Sequence, residues 1–223
     1  MLEDNYAAVQ KKIAEAAIRA GRNTEEVKLI AVTKTVNLAT VKRAATLGIR
    51  DFGENRVQDA AEKVAALPEL NWHFIGHLQS NKVKEVIPHY GLIHSLDRLS
   101  LAGALQKGAD RSDLTVEALV QVNVSGEESK FGLEPRELVA FLDQVKIYDR
   151  LILKGLMTMA PFVDDPEETR IYFRRLRELR DRCRENHENL MELSMGMTND
   201  YEVAVEEGAT MVRIGSAIFN AHQ

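Results

Sequence analysis

VKLIAVTK, residues 27–34, is apolar without a break from Leu29 to Val32 and turns polar again at Thr33 and Lys34. A half-exposed strand would alternate in polarity, so an unbroken run fits a parallel strand covered on both faces. Upstream, Leu2, Tyr6, Val9, Ile13 and Ala17 recur at helical spacing, and Gly21 supplies a stop.

Downstream the two patterns alternate. Strands are expected at 27–33, 50–53, 71–75, 92–95, 116–124, 151–159, 190–194 and 211–214. Helices are expected between them at 38–47, 56–66, 81–87, 99–108, 135–145, 165–186 and 200–207. The sixth of these helices is the clearest. Asp164 and Asp165 stand at the N-cap, Pro166 suits the first turn, and Tyr172, Leu176, Leu179 and Cys183 form an apolar stripe.

Alternation of this kind predicts a parallel sheet. A total of eight strands predicts closure into a single-domain parallel (β/α)8 TIM barrel spanning residues 1–223, with an extra N-terminal helix. An open doubly wound sheet is the alternative, but neither GxGxxG nor GxxxxGK[ST] occurs in the chain.

Composition narrows the function classes. Hydrophobic residues make up 45% of the chain and charged residues 28%, too apolar for disorder. A formal net charge of −5 argues against a nucleic-acid surface, which needs a basic excess. Arg174, Arg175 and Arg177 alternate with Glu178, Asp181 and Glu185, which reads as a solvated, salt-bridged helix face. The single cysteine, Cys183, excludes an intrachain disulfide and a multi-cysteine zinc site. His73 and His77 are four apart but fall on a strand running into a loop, and His89, His94, His187 and His222 are scattered, so no metal is expected. The opening MLEDNYAAVQKK has neither a basic leader nor an apolar signal core, and no run approaches the roughly 18 apolar residues of a membrane span. A cytoplasmic monomer is expected.

In a barrel of this class the active face lies at the C-terminal strand ends, with phosphate sites favoured after strands seven and eight. The first strand ends in Thr33-Lys34-Thr35, the second in Gly53-Glu54-Asn55, the third in Gly76-His77 and the fifth in Asn123-Val124-Ser125-Gly126. The seventh runs into Ser194-Met195-Gly196-Met197-Thr198 and the eighth into Arg213-Ile214-Gly215-Ser216. Both late loops combine glycine, hydroxyls and a following helix, a donor set suited to a phosphate dianion.

Lys34 gives this phosphate site a reactive partner. Burial of a lysine disfavours its charged form and frees a nucleophilic amine, which condenses with an aldehyde to an imine. An amine beside a phosphate cradle points to a phosphorylated aldehyde, of which pyridoxal phosphate is the common one. A strand-end lysine that snorkels to solvent is the plainer alternative, and the residues alone leave the two readings level.

The segments LIAVTKT, DFGENRVQD, WHFIGHLQSNK, NVSGEESKFG, GLMTMAP and LSMGMTNDYEVAVEEGATMVRIGSAIF, taken in order, resemble the pyridoxal phosphate homeostasis protein family, itself similar in fold to the barrel domain of alanine racemase. The resemblance implies an imine of pyridoxal 5′-phosphate at Lys34. It implies phosphate contacts from Ser194, Gly196, Met197 and Thr198 and from Gly215 and Ser216. It further implies Arg213 at the pyridine nitrogen, and Asn55 and His77 near the ring. Thr198 stands where the family usually has Ser, and Asn220 where Gly is usual.

Two activities are compatible with such a site: a carrier that buffers the cofactor and passes it to apoenzymes, and an amino-acid racemase or decarboxylase. A two-base racemase needs a second acid/base opposite the imine. None of Tyr6, Tyr90, Tyr148, Tyr172 and Tyr201 falls at a strand end where that group belongs, and no further domain is expected after the eighth strand. The carrier is the favoured reading. Lys130, after strand five, is a candidate for transient contact with the aldehyde, against the ordinary account of an exposed loop lysine.

Overall fold

The computed structural model describes residues 1–220, so His222 and the last residues of the expected domain lie outside the described residues. The eight strands are β1 (Lys28–Val32), β2 (Asp51–Glu54), β3 (Asn71–Phe74), β4 (Leu92–Leu96), β5 (Val116–Gln121), β6 (Leu151–Met157), β7 (Glu192–Ser194) and β8 (Met211–Ile214). All pair in parallel in sequence order, and β8 pairs back onto β1 from Lys28↔Met211 to Ala31↔Ile214, closing the barrel. The expected (β/α)8 barrel is therefore the observed fold.

Helices α1 (Leu2–Arg19), α2 (Leu38–Thr46), α3 (Val57–Ala66), α4 (Val83–Val86), α5 (Leu99–Ser112), α6 (Leu138–Val145), α7 (Arg170–Arg184), α8 (Tyr201–Glu206) and α9 (Ser216–Phe219) surround it. The extra N-terminal helix docks on the end of the chain, where Asn5 Nδ2 donates to the carbonyls of Ile218 and Asn220, each at 3.1 Å.

Several boundaries differ from expectation for local reasons. β5 stops at Gln121 rather than running to residue 124, because the Asn123 side chain accepts from Gly126 N–H at 3.0 Å and from Ser125 Oγ at 2.9 Å, forming a turn. β6 stops at Met157, where Thr158 Oγ1 turns to donate to the Val122 carbonyl at 2.7 Å. The helix expected at 165–186 begins as a 3₁₀ turn, Pro166–Thr169, before α7. Its buried stripe is Phe173, Leu176, Leu179 and Cys183, with Tyr172 only half-buried, so the apolar face starts one residue later than its spacing suggested.

Arg174 and Arg177 of α7 are salt-bridged as expected, but their partner lies at the end of the next helix rather than among Glu178, Asp181 and Glu185. Arg170, Arg174 and Arg177 reach across to the buried Glu207 at the end of α8, at 3.2, 2.9 and 3.2 Å. Arg175 instead donates to the Val124 carbonyl at 3.0 Å.

Apolar residues between strands and helices form the main core, and Ile30, Leu92, Leu119, Met157 and Met211 form a second cluster. Among the described residues no helix is long and apolar enough to cross a membrane, and no group of three potential metal ligands occurs.

Candidate functional site

At the C-terminal strand ends a cavity of about 540 Å³ opens, walled in part by Lys34, Asn55, Lys130, Met197, Thr198, Arg213, Gly215 and Ser216. Residues from opposite ends of the sequence meet there because β8 lies beside β1 in the closed sheet. The volume falls in the ordinary range for a small-molecule site, roughly 300–1,000 Å³.

Lys34 is exposed at the rim rather than buried, since β1 ends before it at Val32. The backbone that carries it is held from below. Lys63 Nζ donates to the carbonyls of Thr33 at 2.8 Å and Val36 at 3.3 Å, and pairs with the fully buried Glu54. Thr33 Oγ1 donates to the same carboxylate oxygen that Lys63 meets, Glu54 Oε1, at 2.7 Å. Lys63 escaped the sequence analysis, although a lysine on the apolar face of α3 beside Ala60 and Val64 signals a buried charge partner.

Arg213 is buried behind the cavity, where Nη1 donates to Ser194 Oγ at 2.5 Å and Nη2 to the Thr158 carbonyl at 2.9 Å. Burial pushes its guanidinium down to about 10, which still leaves it protonated at neutral pH. Across the seam between the last two strands, Ser216 Oγ donates to Thr198 Oγ1 at 3.1 Å. The turn after β7 is shaped by two devices. Gly196 adopts φ +89°, and a Cβ there would lie 2.5 Å from that of Ala204. The Asp200 carboxylate accepts from Met197 N–H at 2.6 Å, and burial holds this acid above its ordinary range.

Three expected residues do not line the cavity. Ser194 lies beneath it, tied to Arg213, and Gly196 faces α8. His77 stacks on Phe131 with centroids 4.1 Å apart, and its Nδ1 lies 3.4 Å from Asp97 Oδ2. Met159 and Phe162, from the loop after β6, add an apolar wall.

The donor set fits a phosphorylated aromatic aldehyde. An amine, a guanidinium, paired hydroxyls and an apolar wall share one cavity, and the buried Asn55 Oδ1 has no hydrogen-bond partner among the described residues. An unpaired carbonyl oxygen at the cavity wall is open to a donor from a ligand or a water.

The family model "Alanine racemase, N-terminal domain" matches residues 5–223. The pyridoxal phosphate homeostasis protein of Aquifex aeolicus (strain VF5) is 44% identical over 219 residues, covering 97% of this chain and 96% of that protein. The protein of the same name from Pseudomonas aeruginosa is 43% identical over 222 residues, covering 99% and 95%. Among solved structures, PipY of Synechococcus elongatus PCC7942 with PLP bound superposes with a TM-score of 0.86 at 34% identity, over 99% of this chain and 100% of that one.

Proposed function

We propose that this chain, which belongs to the alanine racemase N-terminal domain family and to the pyridoxal phosphate homeostasis proteins within it, binds pyridoxal 5′-phosphate covalently at Lys34 and serves as a carrier of that cofactor. One observation carries the reading: Lys34, Arg213 and the Thr198–Ser216 hydroxyl pair share a single cavity, although their loops are separated by most of the chain.

When bound, the cofactor supplies an aldehyde carbon open to amines and a pyridine ring able to withdraw electrons. The residues divide the work of holding it. Lys34 Nζ is the attachment point, and the Lys63–Glu54–Thr33 network fixes the backbone from which it projects. Thr198 and Ser216, with the turn that Gly196 shapes, take the phosphate. Arg213 donates to the pyridine nitrogen, and Asn55 offers its unpaired carbonyl oxygen to the ring hydroxyl.

A protonated guanidinium donates a hydrogen bond but gives up its proton reluctantly, so the ring is a poorer electron sink, which suits a carrier and equally an enzyme that makes little use of that sink. Two features favour the carrier over a racemase or decarboxylase. Among the described residues no tyrosine lines the cavity, so the tyrosine that a two-base racemase would use as its second base is not among them. The exposed Lys34 stands open to water and to acceptor amines, as exchange requires. Recipient apoenzymes, a monomeric state and a cytoplasmic location accompany this reading.

Borohydride reduction followed by mass mapping tests the attachment, with modification expected at Lys34. Purified loaded protein is then given an apoenzyme in one experiment and L- and D-amino acids in another. Transfer without turnover supports the carrier; steady racemisation or decarboxylation above the rate of free cofactor refutes it.

A further inference from the structure

A file of polar side chains runs through the barrel interior behind Arg213. Arg213 Nη1 donates to Ser194 Oγ, and His94 Nδ1 lies 2.9 Å from the same oxygen. His94 Nε2 lies 3.1 Å from His73 Nδ1, and His73 Nε2 lies 3.0 Å from Asp51 Oδ1. The members come from β8, β7, β4, β3 and β2, and the first four are buried. Asp51, the first residue of β2, opens onto a separate cavity of about 490 Å³ that Lys28 and Arg50 also line. Polar groups in a barrel interior cost desolvation unless each is satisfied, so a complete file calls for an explanation.

Its two ends set its direction. A guanidinium only donates and a carboxylate only accepts. With Arg213 donating to Ser194 Oγ, the Ser194 hydroxyl proton turns to His94 Nδ1. At the far end, the ionised Asp51 requires the proton of His73 on Nε2. His73 Nδ1 then accepts from His94 Nε2–H. This single arrangement satisfies every link with both rings neutral. Reversing one ring alone sets two protons or two lone pairs face to face. Burial, with the neighbouring cationic groups, keeps the imidazolium form of His94 well below its ordinary range.

We propose that His94, and through it His73 and Asp51, are positioning residues for Arg213. The file turns a Ser194 lone pair toward Nη1 while the Thr158 carbonyl holds Nη2, leaving the remaining guanidinium donors for the cavity. Neither histidine is among the cavity-lining residues. The inference rests on the proposed role of Arg213 at the pyridine nitrogen, and two measurements separate the two.

The first needs no cofactor. In protein labelled with ¹⁵N at histidine, two-bond proton–nitrogen correlation spectra at pH 8 read each ring's tautomer. In both rings a proton is expected on Nε2, and Asp51→Ala is expected to release His73 from that fixed state. A proton on Nδ1 of His94 overturns the proposal, whatever the cavity binds.

The second compares pyridoxal phosphate with its 1-deaza analogue, in which C–H replaces the ring nitrogen. Ser194→Ala and His94→Phe are expected to weaken the natural cofactor about tenfold, the loss of one well-placed hydrogen bond to a charged group, and to leave the analogue's affinity unchanged. Equal losses for both ligands, or none, in folded variants overturn the positioning role. Should His94→Phe not fold, Asp51→Asn at the partly exposed end carries the same comparison. If the wild-type chain binds neither ligand, the reading of the cavity falls, and the tautomer spectra still judge the file.

Discussion

Lys63 Nζ donates to the Thr33 carbonyl over 2.8 Å, so a cation on α3 holds the backbone directly before Lys34. The same ammonium pairs with Glu54, which is fully buried, and its carboxylate accepts from Thr33 Oγ1. An exposed lysine is thus mounted on a buried ionic base. Under the proposed attachment at Lys34, that base fixes the backbone from which the amine projects.

Removing one partner of that buried pair leaves an uncompensated charge. Lys63→Met is expected to destabilise the fold by roughly 3–5 kcal/mol, seen as a lowered urea midpoint, and Glu54→Gln in addition should recover part of the loss. A single-variant midpoint equal to wild type would mean that Glu54 does not depend on Lys63.

Lys34→Ala is expected to abolish the visible absorbance of bound cofactor while shifting stability by no more than about 0.5 kcal/mol, as for an exposed side chain that packs against little. Absorbance and a thermal melt on one sample check both halves. Persistent colour would move the attachment elsewhere.

Ser216→Ala removes one of the two facing hydroxyls. Binding of pyridoxal phosphate should weaken by roughly 1.5–3 kcal/mol, the value of a hydrogen bond to a charged acceptor. Pyridoxal, which has no phosphate, should bind both forms alike in the same titration.

Gly196→Ala places a methyl 2.5 Å from the Ala204 Cβ and a side chain at φ +89°. A penalty of about 1–3 kcal/mol follows from the backbone conformation alone. Chemical denaturation should register it, together with weaker cofactor binding, because the turn carries Met197 and Thr198 to the cavity wall.

The α7–α8 contact should respond to acid. Burial alone would raise the Glu207 carboxyl, but hydrogen bonds from Arg174 and Arg170, with the charge of Arg177, hold it below its ordinary range. A depressed folded-state value means that this contribution is complete above the unfolded carboxylate range, near pH 4.5, and is lost as pH falls through the folded value. Denaturation midpoints of wild type and Glu207→Gln should therefore differ at pH 7 and converge toward pH 3. A constant difference over that interval would refute the linkage.

Strand identity was legible in β1 because Leu29 to Val32 are apolar on both faces, a pattern that fits a sheet covered on both sides. By contrast, β2, β3 and β4 carry Asp51, Glu54, His73 and His94 and are legible from the alternation of elements instead. Strand ends were less legible. β5 and β6 stop early because Asn123 and Thr158 bind locally, and such side-chain competition leaves no mark on hydrophobic periodicity. Lys34, Arg213, Thr198 and Ser216 could be named from their positions at strand ends. Lys63, Asp200 and Phe162 could not, since their importance comes from neighbours distant in sequence.

Local chemistry along the chain thus determined the order of elements, the number of strands and which residues stand at their tips. Closure decided the rest. Once β8 pairs with β1, the first and last loops share a wall, Ser194 drops behind Arg213 instead of facing the cavity, and His77 turns away onto Phe131. The reason is geometric: periodicity records which side of its own strand a residue occupies, whereas the depth of a side chain in a barrel depends on stagger between strands, which no single segment encodes.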